Sequence, residues 1–569
     1  MKVSRWVALG LGALALGLVA LAAWAPSLFE LAAIGEERDL PDAGGAAAAT
    51  PEEATLLLLA LDGVDRALLY ELLKQGELPV LSALLGGASG GRFPHAHFDT
   101  GLLSTLPSST LAAWATLFSG VGPARHGVVG NEFFIREERR FAAPAPVSMS
   151  DPAPVLQTYT DGYANRLLMS PTLYELARER RPDLSSWVSM SQFYTGATRL
   201  LLADRTVVAD AFKALLTSAT NEVQADGLYA QLDREVIDTL CDTLEKERPP
   251  HIITLYLTGT DHYAHGAESG PDPARRKYLT EVVDPALGRL RDALGAHDAL
   301  RSRYVVVVSD HGHTAVIHDE KHALSTEPED DPPAVLRAAG FRLRPFELEV
   351  EKTADFQSVL AYGGAMAYVY LADRSSCISK GTACDWGRPP RFEEDVLPAA
   401  EAFYRANASG QAAPSLRGTL DLIMTRKPRP FAEDDLPFEV YLGGGKLESL
   451  AQYLEAHPRP TYVAFQSRLK DLAVGRYGER AGDLLLLAHS GDVERPEDRF
   501  YFASLYHSWH GSPSRRDSEV PFILAHHGRT AAELSAMTQA AFGSAPRLHD
   551  VTTLLLDLIA PKVSKRRPD

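Results

Sequence analysis

An α/β fold, with a mostly parallel central sheet sandwiched by helices, is the architecture this amino-acid sequence predicts. Three observations carry the prediction. First, nearly continuous apolar runs occur as ATLLLLAL before Asp62, HIITLYL before Asp261 and YVVVVS before Asp310. Strands buried on both faces of a parallel sheet read this way. Second, segments with helical spacing lie between them: RALLYELLKQGELPVLSALL, LAAWATLFSG and VVDPALGRLRDALGAHDALRSR. Strands alternating with helices indicate a parallel sheet with helices on its faces. Third, acids and histidines stand where the apolar runs stop, the place where ligands gather in open α/β sheets.

Taken in order, the chain begins with Lys2 and Arg5 ahead of an uncharged apolar run from Trp6 to about Ala25, with Glu30, Glu36 and Glu37 behind it. The run is about long enough to span a bilayer as a single helix. Its flanking charges place the N-terminus in the cytoplasm and the body outside. Residues 1–25 are therefore expected to form an N-terminal apolar helix acting as a signal anchor. The competing reading is a signal peptide, cut near Ala20-Leu21-Ala22. Either way the body is exported, to the periplasmic or extracellular side. Residues 26–53, rich in Pro, Gly and Ala, read as a tether. The α/β domain is expected over 54–374 and 461–569, where AMAYVYLAD, GDLLLLAHSGD and VPFILAHHG supply further strands and VTTLLLDLIAP a closing helix. Between them, 375–460 is richer in Pro, Gly and charge and reads as an insertion or cap.

Bulk properties narrow the partners. The chain has 569 residues, with 57 basic against 74 acidic ones and a formal net charge of -17. Such a field repels polyanions, so a nucleic-acid polymer is not an expected ligand. A small anionic substrate remains compatible, because bound cations reverse the sign of one pocket. Among the three cysteines, Cys377 and Cys384 bracket a loop that one disulfide could close in an oxidising compartment. Cys241, in a helical segment, reads as a small buried hydrophobe. Oligomeric state is not legible.

Chemistry concentrates at the strand ends. Asp62 ends the first strand, Asp261 and His265 lie four residues apart in DHYAHG, Asp310 and His311 end the Val run, and His510 precedes a late strand. The i, i+4 spacing of Asp261 and His265 puts both on one face of a helix. Carboxylates mixed with imidazoles, without thiolate, suit zinc or a similar divalent ion. Thr110 follows PSS and opens the helical LAAWATLF, where free backbone N–H groups favour an anion. Plain helix capping by Thr110 or Ser109 is the other reading of the same residues.

In this order, LDGVD, PSSTLAAWATLFSG…ARHGVVGN, TDHYAHG, SDHGH and WHGS resemble the alkaline phosphatase superfamily, and within it the type I phosphodiesterase/nucleotide pyrophosphatase branch. The likeness runs from about Thr55 to Ala560, apart from the 375–460 segment. It implies an alkaline phosphatase-like fold and two divalent metal ions, zinc first among them. Asp62, Thr110, Asp310 and His311 would hold one ion; Asp261, His265 and His510 would hold the other. Thr110 would be the nucleophile, and Asn131 would donate its amide to a phosphate oxygen. His126 matches a structural position, and His262, His313 and His322 receive no role. Neither the Cys-x-Pro-x-Arg of sulfatases nor the Asp-Ser-Ala motif of the alkaline phosphatase branch proper is present.

The expected function is metal-dependent hydrolysis of phosphodiester or nucleotide pyrophosphate bonds in a small phosphate ester, through a phosphothreonine intermediate. A threonine hydroxyl needs a base or a metal to act as a nucleophile, and paired ions about 3.5–4 Å apart clamp attacking and leaving oxygens. The alternatives are a phosphomonoesterase or phosphonate hydrolase on the same scaffold, a phosphoethanolamine-type transferase, and an exported metal-binding protein without turnover.

Overall fold

The computed structural model describes residues 37–40, 46–50, 52–148, 153–203, 207, 222–325, 331–351, 354–428 and 435–561. An eight-stranded mixed sheet forms its centre. Its strands, in chain order, are β1 (Glu37–Asp39), β2 (Thr55–Leu61), β3 (Ala96–Asp99), β4 (Ser186–Ser189), β5 (Arg199–Leu201), β6 (Ile252–Leu257), β7 (Arg303–Ser309) and, late in the chain, β14 (Phe522–Ala525). The spatial order is β1-β5-β4-β6-β2-β7-β14-β3. Strands β5, β4, β6, β2 and β7 run parallel, whereas β1, β14 and β3 join antiparallel at the two edges. The expected mostly parallel sheet is thus a parallel block with antiparallel margins. Strand β14 runs against β7 and follows the short turn Arg515–Ser518.

Every residue of β2, β6 and β7 is buried. Successive strand residues point to opposite faces, so unbroken burial means that both faces are covered. Each fully buried Leu or Val in these runs contributes roughly 1.5–3 kcal/mol. The result is a stiff platform beneath the loops. Helix α1 (Thr110–Ser119) packs on a late helix, α6 (Leu548–Ile559), while α2 (Glu222–Lys246) packs on α4 (Asp284–Ala296).

Register matters most for function. Leu61 pairs with Leu257 on one side and Ser309 on the other. Three strands therefore leave the sheet at one level, with Asp62 and Asp310 as the next residues and α3 (Gly259–Gly266) starting just past β6. A two-residue ladder, Thr314 with Trp509 and Ala315 with Ser508, draws His510 to the same edge.

A second, wholly antiparallel sheet has the order β8 (Ser358–Gly363), β9 (Met366–Leu371), β13 (Leu484–Ala488), β10 (Leu420–Arg426), β11 (Phe438–Tyr441), β12 (Leu447–Ser449). Residues 375–460 supply three of these strands; the other three come from outside that segment. Helix α5 (Leu397–Ser409) closes a separate apolar cluster against this sheet. Cys377 and Cys384 are disulfide-bonded, and Cys241 is a buried free thiol. The expected N-terminal apolar helix lies outside the described residues. Among those described, no helix is long and apolar enough to cross a membrane.

Candidate active site

Thr110 is the first residue of α1, and it is half-buried while its neighbours are enclosed. Ser109 occupies the cap position but makes no side-chain capping bond; its buried hydroxyl has no partner. Simple capping therefore does not account for the PSST sequence. Thr110 Oγ1 lies 3.2 Å from His311 Nε2. That same nitrogen is 3.5 Å from Asp62 Oδ1 and 3.3 Å from Asp310 Oδ2. The far oxygen of each carboxylate is engaged. Tyr256 donates its hydroxyl to Asp62 Oδ2. Gly63 N–H and His311 N–H donate to Asp310 Oδ1 at 3.1 and 3.0 Å. The near oxygens, Asp62 Oδ1 and Asp310 Oδ2, are buried without any hydrogen-bond partner.

Beside this group lies a second. The i, i+4 spacing puts Asp261 and His265 on one face of α3, with Asp261 Oδ2 3.4 Å from His265 Nε2. His510 Nε2 is 3.9 Å from Asp261 Oδ1. The two groups meet where the His311 and His510 rings stack at 3.6 Å. Asp233, from α2, accepts the Thr258 and Gly259 N–H groups at 3.2 and 3.1 Å and so anchors the start of α3.

Outer contacts fix the imidazole tautomers. His265 Nδ1 lies 2.6 Å from Ser508 O, His311 Nδ1 3.1 Å from Gly312 O and His510 Nδ1 2.9 Å from Ser108 O. A carbonyl oxygen only accepts, so all three Nδ1 atoms carry the proton. With a cation bound, each Nε2 would offer it a lone pair, the arrangement of metal-binding histidines.

Burial, reinforced by Asp310 and Asp261, pushes the Asp62 carboxyl well above its usual range. Burial also raises Asp310. It would raise Asp261 as well, but the imidazoles of His265 and His313 outweigh it and hold that carboxyl low. His510 is pushed well down, by burial first and by His311 next. A pocket with three enclosed carboxylates and two partnerless oxygens is the environment a divalent cation neutralises. The spacing fits too. Donors on one tetrahedral zinc, at about 2.0–2.1 Å from it, stand about 3.3–3.4 Å apart. The 3.3, 3.4 and 3.5 Å separations above match that value.

Asn131 accepts Leu111 N–H on Oδ1 at 3.0 Å. Only the amide oxygen can accept, so Nδ2 is the end left for a ligand, one residue along from Thr110. All eight residues singled out from the sequence thus converge on one sheet edge. Of the remaining histidines, buried His126 bonds Thr116 Oγ1 of α1 and accepts Val128 N–H on Nδ1. His322 is held by Asp319 and Glu497 O, and His262 stacks on Tyr229. Sequence reasoning passed over Tyr256 and His313. Tyr256 sits inside an apolar strand and gives no signal. His313 does give one, since residues two apart in an extended segment share a side.

The first part of the chain matches a family model described as type I phosphodiesterase / nucleotide pyrophosphatase, over residues 56–365, just over half of its length. The chain belongs to this family. As a type I phosphodiesterase/nucleotide pyrophosphatase family member, it is 35% identical over 78 residues to ectonucleotide pyrophosphatase/phosphodiesterase family member 7 of Rattus norvegicus, and likewise to that of Mus musculus. Those matches span 13% of this chain and 17% of each relative, so it aligns with about a sixth of their length. Among solved structures it is similar to murine ectonucleotide pyrophosphatase/phosphodiesterase 5, at 12% identity and a TM-score of 0.47, over 89% of this chain and 95% of that one. An inactive form of the murine protein in complex with AMP gives 0.46 at 12% identity, over 89% and 95%.

Proposed function

We propose that this protein hydrolyses phosphodiester or nucleotide pyrophosphate bonds of small phosphate esters through Thr110, at a site holding two divalent cations, most readily zinc. Asp62, Asp310, His311 and Thr110 would hold one ion; Asp261, His265 and His510 would hold the other. The observation that carries this reading is the placement of the Thr110 hydroxyl 3.2 Å from His311 Nε2, beside two buried carboxylate oxygens without partners. Bound cations supply the electrostatics that make a hydroxyl nucleophilic and draw charge from phosphoryl oxygens. The chain's own residues do the rest. Thr110 is poised at the mouth of the pocket, with its hydroxyl donating to His311 Nε2. The bond from Thr110 Oγ1 to phosphorus forms as the bond to the leaving oxygen breaks, and the proton that Oγ1 gives up departs with that oxygen or with solvent. Asn131 Nδ2 donates to a phosphoryl oxygen, an interaction that strengthens as charge develops. Water then attacks the same phosphorus, the bond from Oγ1 to phosphorus breaks, and a proton of that water restores the Thr110 hydroxyl as phosphate leaves.

Export of the body is part of this proposal, supported by the Cys377–Cys384 disulfide. The test assays the purified protein against bis-p-nitrophenyl phosphate, p-nitrophenyl phosphate and a nucleotide-derived diester, with and without chelator. Turnover that chelator abolishes and zinc restores is expected, strongest on the diesters. Thr110→Ala should lower it roughly 10³-fold or more while the protein stays folded. Wild-type turnover by that variant would overturn the nucleophile assignment. Preference for p-nitrophenyl phosphate would make this a monoesterase.

A further inference from the structure

We infer that His313 is a positioning residue: it holds Asp261 in place for the second cation and does not bind that cation itself. The inference rests on the two-cation reading above. His313 Nε2 lies 2.8 Å from Asp261 Oδ1, and His313 Nδ1 lies 3.0 Å from Ser508 Oγ. By position alone His313 could be a ligand, since it forms a buried trio with Asp261 and His311. Distance argues otherwise. Two donors on one tetrahedral zinc stand about 3.3–3.4 Å apart, as His265 and Asp261 do at 3.4 Å. A separation of 2.8 Å is that of an N–H···O⁻ hydrogen bond.

The proton placement agrees. Asp261 ionised can only accept, so His313 Nε2 carries the proton and Nδ1 is the acceptor. The Ser508 hydroxyl donates to Ala264 O at 2.8 Å and lies 3.0 Å from Nδ1, so its one proton serves two acceptors. His313 thus has the tautomer opposite to that of His265, His311 and His510, whose Nδ1 atoms donate to carbonyls. Those three imidazoles have Nε2 left to offer a cation, and this one presents a proton to a carboxylate. Space for the contact is made by Gly63, where a Cβ would stand 2.7 Å from His313 Nε2 and 2.9 Å from the Asp261 backbone. The bond fixes Oδ1 and leaves Oδ2 facing His265.

Three full-length variants test this: His313→Gln, His313→Met and Ser508→Ala. Cation stoichiometry and affinity are measured by competition with a chromophoric zinc chelator on metal-stripped protein, alongside kcat and KM. Gln can place an amide N–H where Nε2 stands; Met fills the space without a donor. His313→Met should weaken one of two cations about 10–100-fold, the usual cost of losing a group that orients a ligand, and leave the other unchanged. His313→Gln should restore affinity to within about threefold, and Ser508→Ala should weaken the same cation by a few-fold. Unaltered affinity in His313→Met would overturn the inference. Equal loss in the Gln and Met variants would make His313 a ligand and also overturn it. Should Met prevent folding, seen by circular dichroism, the Gln and Ala variants still decide. Wild-type protein that binds no zinc would defeat the two-cation reading itself, a separate result.

Discussion

The two halves of the pocket hold their carboxylates in opposite ways. Asp261 is ringed by imidazoles, with His313 at 2.8 Å, His265 at 3.4 Å and His510 at 3.9 Å. Asp62 and Asp310 instead share one imidazole, His311, and each keeps a buried oxygen with no hydrogen-bond partner. The Asp62–Asp310 half has negative charge in excess of anything the chain supplies to balance it. The Asp261 half carries much of its compensation in its own side chains. The lesson concerns dependence: the Asp62–Asp310 half needs a cation to be stable as well as to work, whereas the Asp261 half needs one chiefly to work.

Asp310→Asn separates these roles most sharply. In zinc it should lose one cation and lower turnover on bis-p-nitrophenyl phosphate roughly 10³-fold, the scale on which loss of a preorganised electrostatic group acts. In chelator it should melt at a higher temperature than wild type, because one of two enclosed like charges is gone. With zinc present the order should reverse, since wild type gains more from the bound ion. Melting curves with and without chelator check both signs. A chelated variant that melts below chelated wild type would defeat the argument from uncompensated charge.

That contrast explains what the sequence could and could not disclose. The Val run of β7 and the Leu run of β2 announced strands, and their register alone carries Asp62 and Asp310 to one edge. The i, i+4 pair on α3 was equally visible. The antiparallel attachment of β14 was not, because a strand of four apolar residues reads the same in either direction. The second sheet was hidden for another reason: its strands are drawn from within residues 375–460 and from both sides of that segment, and pairing between such distant segments leaves no local trace. Tyr256 and His313 escaped because their roles depend on neighbours brought by other strands. The residue types pointed to a divalent cation, and the expectation of two came from the family resemblance of the motifs. The partnerless oxygens that support it are visible only in three dimensions.

His265→Ala is the complementary test, smaller in effect and opposite in one sign. Zinc affinity at one site should fall by more than the factor of about 10–100 that loss of an orienting partner costs, with the other retained. In chelator this variant should melt below wild type, since Asp261 loses one of the imidazoles that hold its charge and a buried ring is removed. A drop of roughly 1–3 kcal/mol is expected from the lost partner. Equal behaviour of chelated Asp310→Asn and His265→Ala would mean that the two halves do not differ as described.

The smallest effect is expected at a trio that looks like a metal site and carries its own cation. Glu53, Asp183 and His251 bring ligand atoms together much as the catalytic groups do. Here the Arg181 guanidinium fills the centre, bonding Glu53 and lying 3.1 Å from Asp183. The Thr50 N–H first, and the Thr50 hydroxyl and Arg181 with it, hold the Glu53 carboxyl at about 2, below its ordinary 4.5. A depressed carboxyl stabilises the fold above its unfolded value, and that contribution fades as pH falls from 4.5 toward 2. Glu53→Gln should therefore cost about 1 kcal/mol or less at pH 7, because the pair is partly exposed. Its melting temperature should converge on that of wild type as acid is added, and zinc should shift neither curve differently from the other. A zinc-dependent gap between them would show a cation at this trio, and would defeat the reading that the Arg181 guanidinium takes a cation's place there.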